Sequence, residues 1–545
     1  MSPRRRLDLV LVLAVIAVGV ATRLLPLHFS PLPFNTDAFV FVRYSELILQ
    51  NNHLAFSGPA APYPDEYLFD MLLAMVSEVV GMSPLYLVQI LIACLAIVPS
   101  LVAVAYARSL TADLPRAHRR GAMALAGIGL SVEGLYLWRT ATISSEVYGL
   151  SFIACIVLSL HRGLQTGSRR WLALTAILSA LMPIVHNGST FVVGLIGTVL
   201  TALAVGRQFT IRRALGGTIG VVGFWALAFG YYEVVELPNA ATISAAPGLF
   251  IAWTILIVGV ARWLDRTSPR VQRGVPVTVF SLGVLVFTFN AFVPVFPGMP
   301  TTSIWLLIYT VPLVTLLVVA AVGIPWVTTK QSQGIAMVAV VIAPLAAIGF
   351  ALTGGRTPEY QALLTRSTTF MHLGVVVIAA VALAILAHRR PTLGRMATVI
   401  VVIAILISAP FPFAGLGTIP FEAVTEPTEF ETVMFATEHM NGTWASDDHF
   451  THIGTKYRGA NVVDTPTSAW LRGDASQPAC PTIGREIWTT RGAPAVPKPL
   501  SLSTAAYEQW VMTGDIIYNG GGSESTVVRW VNGQCEQSVL SEGTR

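Results

Sequence analysis

Asp37 follows Asn35-Thr36 and precedes a stretch, Ala38 to Gln50, in which Phe39, Val42, Leu47 and Leu49 are interleaved with Arg43 and Glu46. That spacing predicts a helix lying along a membrane surface, with Asp37 at its entrance. A carboxylate there can cap the helix. It can also act as a general base at the water–lipid boundary, taking a proton from an incoming hydroxyl. Both uses stay open from spacing alone.

A second polar stretch, Gly354-Gly355-Arg356-Thr357-Pro358-Glu359-Tyr360, runs on to Thr365-Arg366-Ser367-Thr368-Thr369. Arg366 abuts an apolar span and is followed by three hydroxyl residues, a grouping suited to a phosphate at headgroup depth. A snorkelling arginine that meets lipid phosphate without specificity would read the same way. Ser144 and Glu146 either cap a helix or wall a sugar pocket, and His186-Asn187-Gly188-Ser189 forms a tight turn between two spans. Glu233 and Glu236 are expected to solvate a helix end. Asp447-Asp448-His449 with His452 has the composition of a metal cluster but the spacing of no defined site, so a surface loop and no metal are expected. Asn441-Gly442-Thr443 is a glycosylation sequon, and Asn187-Gly188-Ser189 is a second one close to the membrane.

The elements that must position these residues follow from composition. The chain has 545 residues, 54% of them hydrophobic and only 12% charged, with a mean hydropathy of +0.66. This is a polytopic membrane protein rather than a soluble enzyme. The net charge of +5 comes from arginines dispersed between apolar runs, which membrane topology explains without nucleic acid. Apolar spans are predicted near 7–26, 85–106, 121–139, 143–161, 171–185, 189–206, 213–232, 247–263, 276–294, 303–324, 334–353, 367–387 and 393–413. The basic groups at Arg4–Arg6, Arg116–Arg120, Arg169–Arg170, Arg212–Arg213, Arg262–Arg273, Lys330 and Arg389–Arg395 then fall on one side, the cytoplasm.

An N-terminus inside and an odd number of spans place residues 414–545 outside as a soluble region, after a membrane region of residues 1–413. Within the latter, residues 27–84 form a long outer loop with surface helices, the second over Asp65 to Val80. The C-terminal region reads as a small α/β domain, with β-like runs at Gly442–Ser446, Asn461–Asp464, Ile487–Thr490 and Thr526–Val531 and a hairpin turn at Asn519–Gly522. A Cys480–Cys535 disulfide is compatible with that compartment.

This layout resembles the membrane glycosyltransferases of the C-type fold, which use sugars carried on polyprenyl or dolichyl phosphate. The shared features are the first span ending Thr22-Arg23-Leu24, the long outer loop opening Asn35-Thr36-Asp37, about a dozen further spans, the late loop with Arg366 and the outer C-terminal region. The resemblance implies that Asp37 is the catalytic carboxylate, that Arg366 and Arg356 bind the lipid phosphate, and that Glu146, His186 and Asn187 line the sugar or acceptor pocket. Oligosaccharyltransferases of the family carry a Trp-Trp-Asp-Tyr-Gly motif and a second acidic metal motif, and neither is found here.

The better match is to archaeal enzymes that move one mannose from dolichyl phosphate mannose onto a lipid-linked or protein-linked N-glycan, as on S-layer glycoproteins. Dolichyl-phosphate sugar, a glycan acceptor and membrane lipid are then the expected partners, with no cofactor and no nucleic acid. A flippase or transporter of lipid-linked sugar would use the same arginines. It would also need paired interrupted helices, which are not evident.

Overall fold

Lipid offers no partner to a free backbone N–H or C=O, so apolar runs of membrane-spanning length must fold as helices that satisfy themselves. The computed structural model describes residues 3–237, 242–297, 299, 301–329, 331–355, 357–415, 422–495, 498–521, 525–533 and 535. Lys330 and Arg356 lie outside the described residues. Among those described, eleven helices are long and apolar enough to cross a membrane, or twelve if one bent pair counts as a span. Ile219, Ile255, Leu285 and Leu406 are exposed on these helices, as lipid-facing side chains are. The chain is a polytopic α-helical membrane protein with a small C-terminal sheet domain.

The first helices are α1 (Pro3–Leu24), α2 (Ala38–Asn51), α3 (Tyr67–Val80), α4 (Pro84–Leu95), α5 (Ile97–Leu110), α6 (Arg116–Val132) and α7 (Gly134–Ala141). They are followed by α8 (Ser145–Thr166), α9 (Arg169–Leu181), α10 (Asn187–Arg207) and α11 (Ile211–Val234). Two differences account for the count of thirteen. Helix α9 has only 13 residues and continues as a 3-10 turn over Met182–Ile184, so as a helix it falls short of a full span even though it returns the chain from the end of α8 to the start of α10. The span expected over 121–139 is broken, with α6 and α7 meeting at 57°.

The cause of the break is local. Glu133 leaves the helical region at ψ 124° and its carboxylate accepts from the N–H groups of Leu135 and Tyr136. A Cβ on Gly134 would lie 1.9 Å from the Ser408 carbonyl oxygen. Only glycine lets the backbones approach this closely. The fully buried Arg23 ties α1 across the break, donating to the Ser131 carbonyl at 2.9 Å and to Thr140 Oγ1 at 2.7 Å.

Helices α2 and α3 form where the amphipathic patterns predict. Their apolar faces, however, meet protein. Phe39 and Val42 are buried, and Phe39 stacks on Phe430 of the helix Pro427–His439 with ring centroids 5.6 Å apart. One core therefore joins Phe39, Val42 and Phe69 of the first loop to Val433, Trp444, Phe450 and Val528 of the C-terminal region.

That region holds a mixed five-stranded sheet in the order β2-β1-β3-β5-β4. Its strands are β1 (Trp444–Ala445), β2 (Val462–Val463), β3 (Thr482–Arg485), β4 (Asp515–Asn519) and β5 (Thr526–Trp530). Strand β1 runs parallel to β2 and β3, whereas β5 is antiparallel to β3 and β4. The run expected over Ile487–Thr490 falls on a 3-10 turn, Glu486–Thr489, instead of a strand. Cys480 and Cys535 are joined across a sequence separation of 55.

Candidate active site

Asp37 occupies the position before the first residue of α2, yet its side chain does not cap the helix. Its backbone is already helical, at φ −61° and ψ −26°, so the carboxylate points away from the amides that a cap would bind. Asn35 sets that direction. Its φ of 118° is one that side chains rarely adopt. The turn is held by its N–H to the Ala423 carbonyl at 2.8 Å and by Nδ2 to the Ile143 carbonyl at 3.3 Å. The Asp37 carboxylate instead forms an ion pair with Lys456 and lies 3.4 Å from Asn35 Nδ2. Its side chain is 56% exposed. Partial burial works to raise its pKa, but Lys456, His452 and the Asn35 amide hold the carboxyl below the ordinary carboxylate range.

Three more carboxyl groups stand behind it on the first loop. Asp65 accepts the Asn187 N–H at the start of α10, and Glu66 accepts from Ser145 Oγ at 2.8 Å at the start of α8. Tyr231 donates to the Pro64 carbonyl at 2.8 Å, which fixes the same turn to α11. Burial raises the pKa of Asp65, Glu66 and Asp70, and the crowding of like charge adds to it at Glu66 and Asp70. The ionisation of Glu66 is shifted by both Asp37 and Arg366.

Arg366 comes from the last turn of the helix Pro358–Thr369. Its Nε lies 4.0 Å from Glu146 Oε2, and Nη1 of Arg139 lies 4.0 Å from the same oxygen. Arg139 ends α7, where the break in the bundle puts it, with its guanidinium over the Trp138 ring at 4.4 Å. At 4.0 Å neither arginine is hydrogen-bonded to Glu146, whose Oε1 is buried without a partner among the described residues. Two guanidinium groups that flank one carboxylate without hydrogen-bonding it have donors to offer an oxyanion. Arg139 was absent from the sequence expectations because it closes a predicted span. Its neighbours Thr140, Thr142 and Ser144 repeat the hydroxyl-rich signature that marked Arg366.

His186 and Asn187 are both buried at the entrance of α10. His186 Nδ1 accepts the Ser189 N–H at 3.1 Å and caps the helix, while the Asn187 N–H serves Asp65. The structure thus brings Asp37, Arg366, Glu146, His186 and Asn187 to one end of the bundle and adds Arg139, Asp65, Glu66 and Lys456.

The Asp447–His452 stretch differs from the surface loop expected. Asp447 and His449 are buried. Asp447 Oδ2 accepts from Arg485 Nη1 at 3.2 Å and from Trp488 Nε1 at 2.8 Å, inside an ion cluster with Glu422 and Glu429. Among the described residues no group of three or more His, Cys, Asp or Glu side chains could hold a metal ion. A cavity of about 930 Å³ lies elsewhere, between α8, α9, α10 and α11, reaching Arg207 and Arg213 at the far ends of these helices. No acidic side chain lines it, so it takes no part in the site.

No protein family model matches the chain, and no curated protein matches it. Two solved structures of the Archaeoglobus fulgidus oligosaccharyltransferase are similar in layout. The AglB complex with an inhibitory peptide and a dolichol-phosphate has 12% identity and a TM-score of 0.49, and the match covers 86% of this chain and 66% of that one. The apo form gives 12%, 0.49, 88% and 67%. ArnT from Cupriavidus metallidurans bound to undecaprenyl phosphate gives 13% identity and a TM-score of 0.38 over 95% of this chain and 97% of that one. The chain spans about two thirds of the oligosaccharyltransferase's length. Similarity at this level assigns a role to no residue.

Proposed function

We propose that the protein is a membrane glycosyltransferase that moves a single sugar, mannose, from dolichyl phosphate to a lipid-linked or protein-linked N-glycan. The observation that carries the reading is a carboxylate free of any capping role, tied through Asn35 to the Ile143 carbonyl at the start of the Glu146 helix, where two arginines flank a common oxygen. Arg366 and Arg139 hold the donor phosphate and neutralise the charge that grows on it as the sugar–phosphate bond breaks. Arg356 is the third candidate for that task. Asp37 takes the proton of the acceptor hydroxyl, which attacks the anomeric carbon from the opposite face and inverts it. Glu146, His186 and Asn187 border the sugar, His186 by capping α10 and Asn187 by holding the Asp65 turn.

The positive-inside pattern puts the N-terminus in the cytoplasm and this site and the C-terminal region outside. Nucleotide sugars are cytoplasmic, so an outward site needs a donor delivered by the membrane. Purified protein incubated with a panel of dolichyl-phosphate sugars and a glycan acceptor should add one hexose, from the mannose donor, to the product mass. En bloc transfer of an oligosaccharide, or no covalent product with any donor, would overturn the reading.

A further inference from the structure

Asp37, the proposed base, is occupied. Lys456 reaches it from the C-terminal region, 419 residues along the chain, and an ammonium-paired carboxylate is a poor acceptor for a hydroxyl proton. We propose that Lys456 is a positioning residue that masks Asp37 until a lipid phosphate enters the site, and that it then transfers its ammonium to the phosphate and frees the base. The inference rests on the reading of Asp37 as base and of the paired arginines as phosphate ligands.

The geometry separates a fixed anchor from a movable charge. Lys456 sits in a π-helical turn, Gly454–Arg458, a form often found at functional positions. The turn is clamped on α2. Arg43 Nη1 lies 3.4 Å from the Thr455 carbonyl, Tyr457 donates to Glu46 Oε1 at 3.2 Å, and Tyr457 also packs on Phe39 at 5.9 Å. The turn closes at Gly459, with φ +68°, where a Cβ would come within 3.0 Å of Arg43 Nη2.

The backbone on either side of Lys456 is therefore held, while its side chain is 26% exposed and carries its charge on a flexible stem. An ammonium imposes no planar geometry, so it can exchange one oxyanion for another at little cost in alignment. The destination adjoins it, because the Asn35 amide that lies 3.4 Å from Asp37 also donates to the Ile143 carbonyl at 3.3 Å, just before the arginine-flanked Glu146 in the chain. In the reaction the acceptor oxygen bonds to the anomeric carbon, its proton goes to Asp37, and the phosphate leaves with the electron pair of the broken C–O bond. Lys456 stays protonated throughout. The consequence is order: a base released by donor phosphate cannot activate an acceptor, or water, before the donor is bound.

The test is binding without chemistry, with dolichyl phosphate and dolichol in detergent micelles as probes of the purified full-length protein, read by tryptophan fluorescence. Lys456→Met should weaken dolichyl phosphate binding roughly tenfold, as loss of one charge-assisted contact does, and leave dolichol unaffected. Lys456→Arg should recover most of the loss. Asp37→Asn should tighten dolichyl phosphate several-fold by releasing the ammonium, and that gain should vanish in the Asp37→Asn/Lys456→Met double variant.

A purely structural Lys456 would show no such coupling. Wild-type affinity in Lys456→Met, or an Asp37→Asn gain that survives without Lys456, overturns this inference alone. A wild-type protein that fails to distinguish dolichyl phosphate from dolichol overturns the phosphate site and this inference together.

Discussion

Arg139 and Arg366 approach the same oxygen of Glu146, each at 4.0 Å, from helices far apart in the chain. Glu146 balances two like charges that would otherwise repel each other, and it does so without saturating either guanidinium. Arg139→Ala and Arg366→Ala should each raise the KM for a lipid-phosphate donor about tenfold or more, because a hydrogen bond to a charged group contributes about 1.5–3 kcal/mol. Glu146→Gln should act in the opposite sense on anion affinity, tightening phosphate binding while lowering stability by about 1 kcal/mol, a surface-discounted value for partly exposed arginines. Donor titrations and melting curves on the three variants check this.

Gly134 makes the bend that delivers Arg139. A methyl group there meets the Ser408 carbonyl at 1.9 Å and cannot be absorbed by a flexible side chain. Gly134→Ala should destabilise the protein by about 1–3 kcal/mol, the usual range for overpacking. It should also weaken donor binding as Arg139→Ala does. Retained affinity with a lowered melting temperature would separate the bend from the phosphate site.

Acid should act on the base and its mask together. Lys456 holds Asp37 below the ordinary carboxylate range, so Asp37 stays ionised in the free enzyme to lower pH than an unpaired aspartate. A group with a depressed folded pKa stabilises the fold above its unfolded pKa, and that contribution disappears as pH falls through the folded value. The acid limb of the kcat/KM profile should accordingly lie below the ordinary carboxylate range in the wild type and move upward in Lys456→Met. A limb at the same pH in both would contradict the pairing.

Asp70 should behave the other way. It is fully buried, neither carboxyl oxygen has a partner among the described residues, and burial followed by the Glu66 and Asp65 charges pushes its pKa well up. Between its unfolded and folded pKa the folded state binds the extra proton, so stability falls as pH rises through that window. Asp70→Leu should stabilise the protein by about 1–3 kcal/mol near neutral pH, by removing an unsatisfied polar group. The gain should grow with pH. Melting temperatures from pH 5 to 9 measure it.

The Cys480–Cys535 bond spans a sequence separation of 55 and closes a loop that includes β3, β4 and β5. Loop-closure entropy gives such a bond about 4 kcal/mol. Cys480→Ser, or reductant, should lower the melting transition of the C-terminal region. Donor binding should weaken with it if that region supplies Lys456.

Hydropathy and the periodicity of α2 and α3 made the membrane bundle and the Asp37 entrance legible, because both depend on neighbours within a few turns. The site was legible only where a residue carried its own local signature, as Arg366 did through its hydroxyl neighbours. Lys456 and Arg139 were not, since each acquires meaning from a contact across hundreds of residues or from a bend set by Gly134. The Asp447 stretch misled for a related reason. Its acids suggested solvent, whereas Arg485, distant in sequence, draws Asp447 into a buried ion cluster and leaves Asp448 and His452 part-exposed. The count of spans drifted because hydropathy registers neither a change from α-helix to 3-10 turn, as at the end of α9, nor a span broken by close backbone approach at Gly134.

The most direct measurement is sugar transfer by Asp37→Asn, with dolichyl-phosphate binding recorded on the same preparation. General base catalysis is worth about 10²–10⁴ in rate. Transfer should therefore fall by at least about a hundredfold while dolichyl phosphate binds as tightly as in the wild type or more so. Product formation at the wild-type rate by a folded, phosphate-binding Asp37→Asn protein would contradict the account.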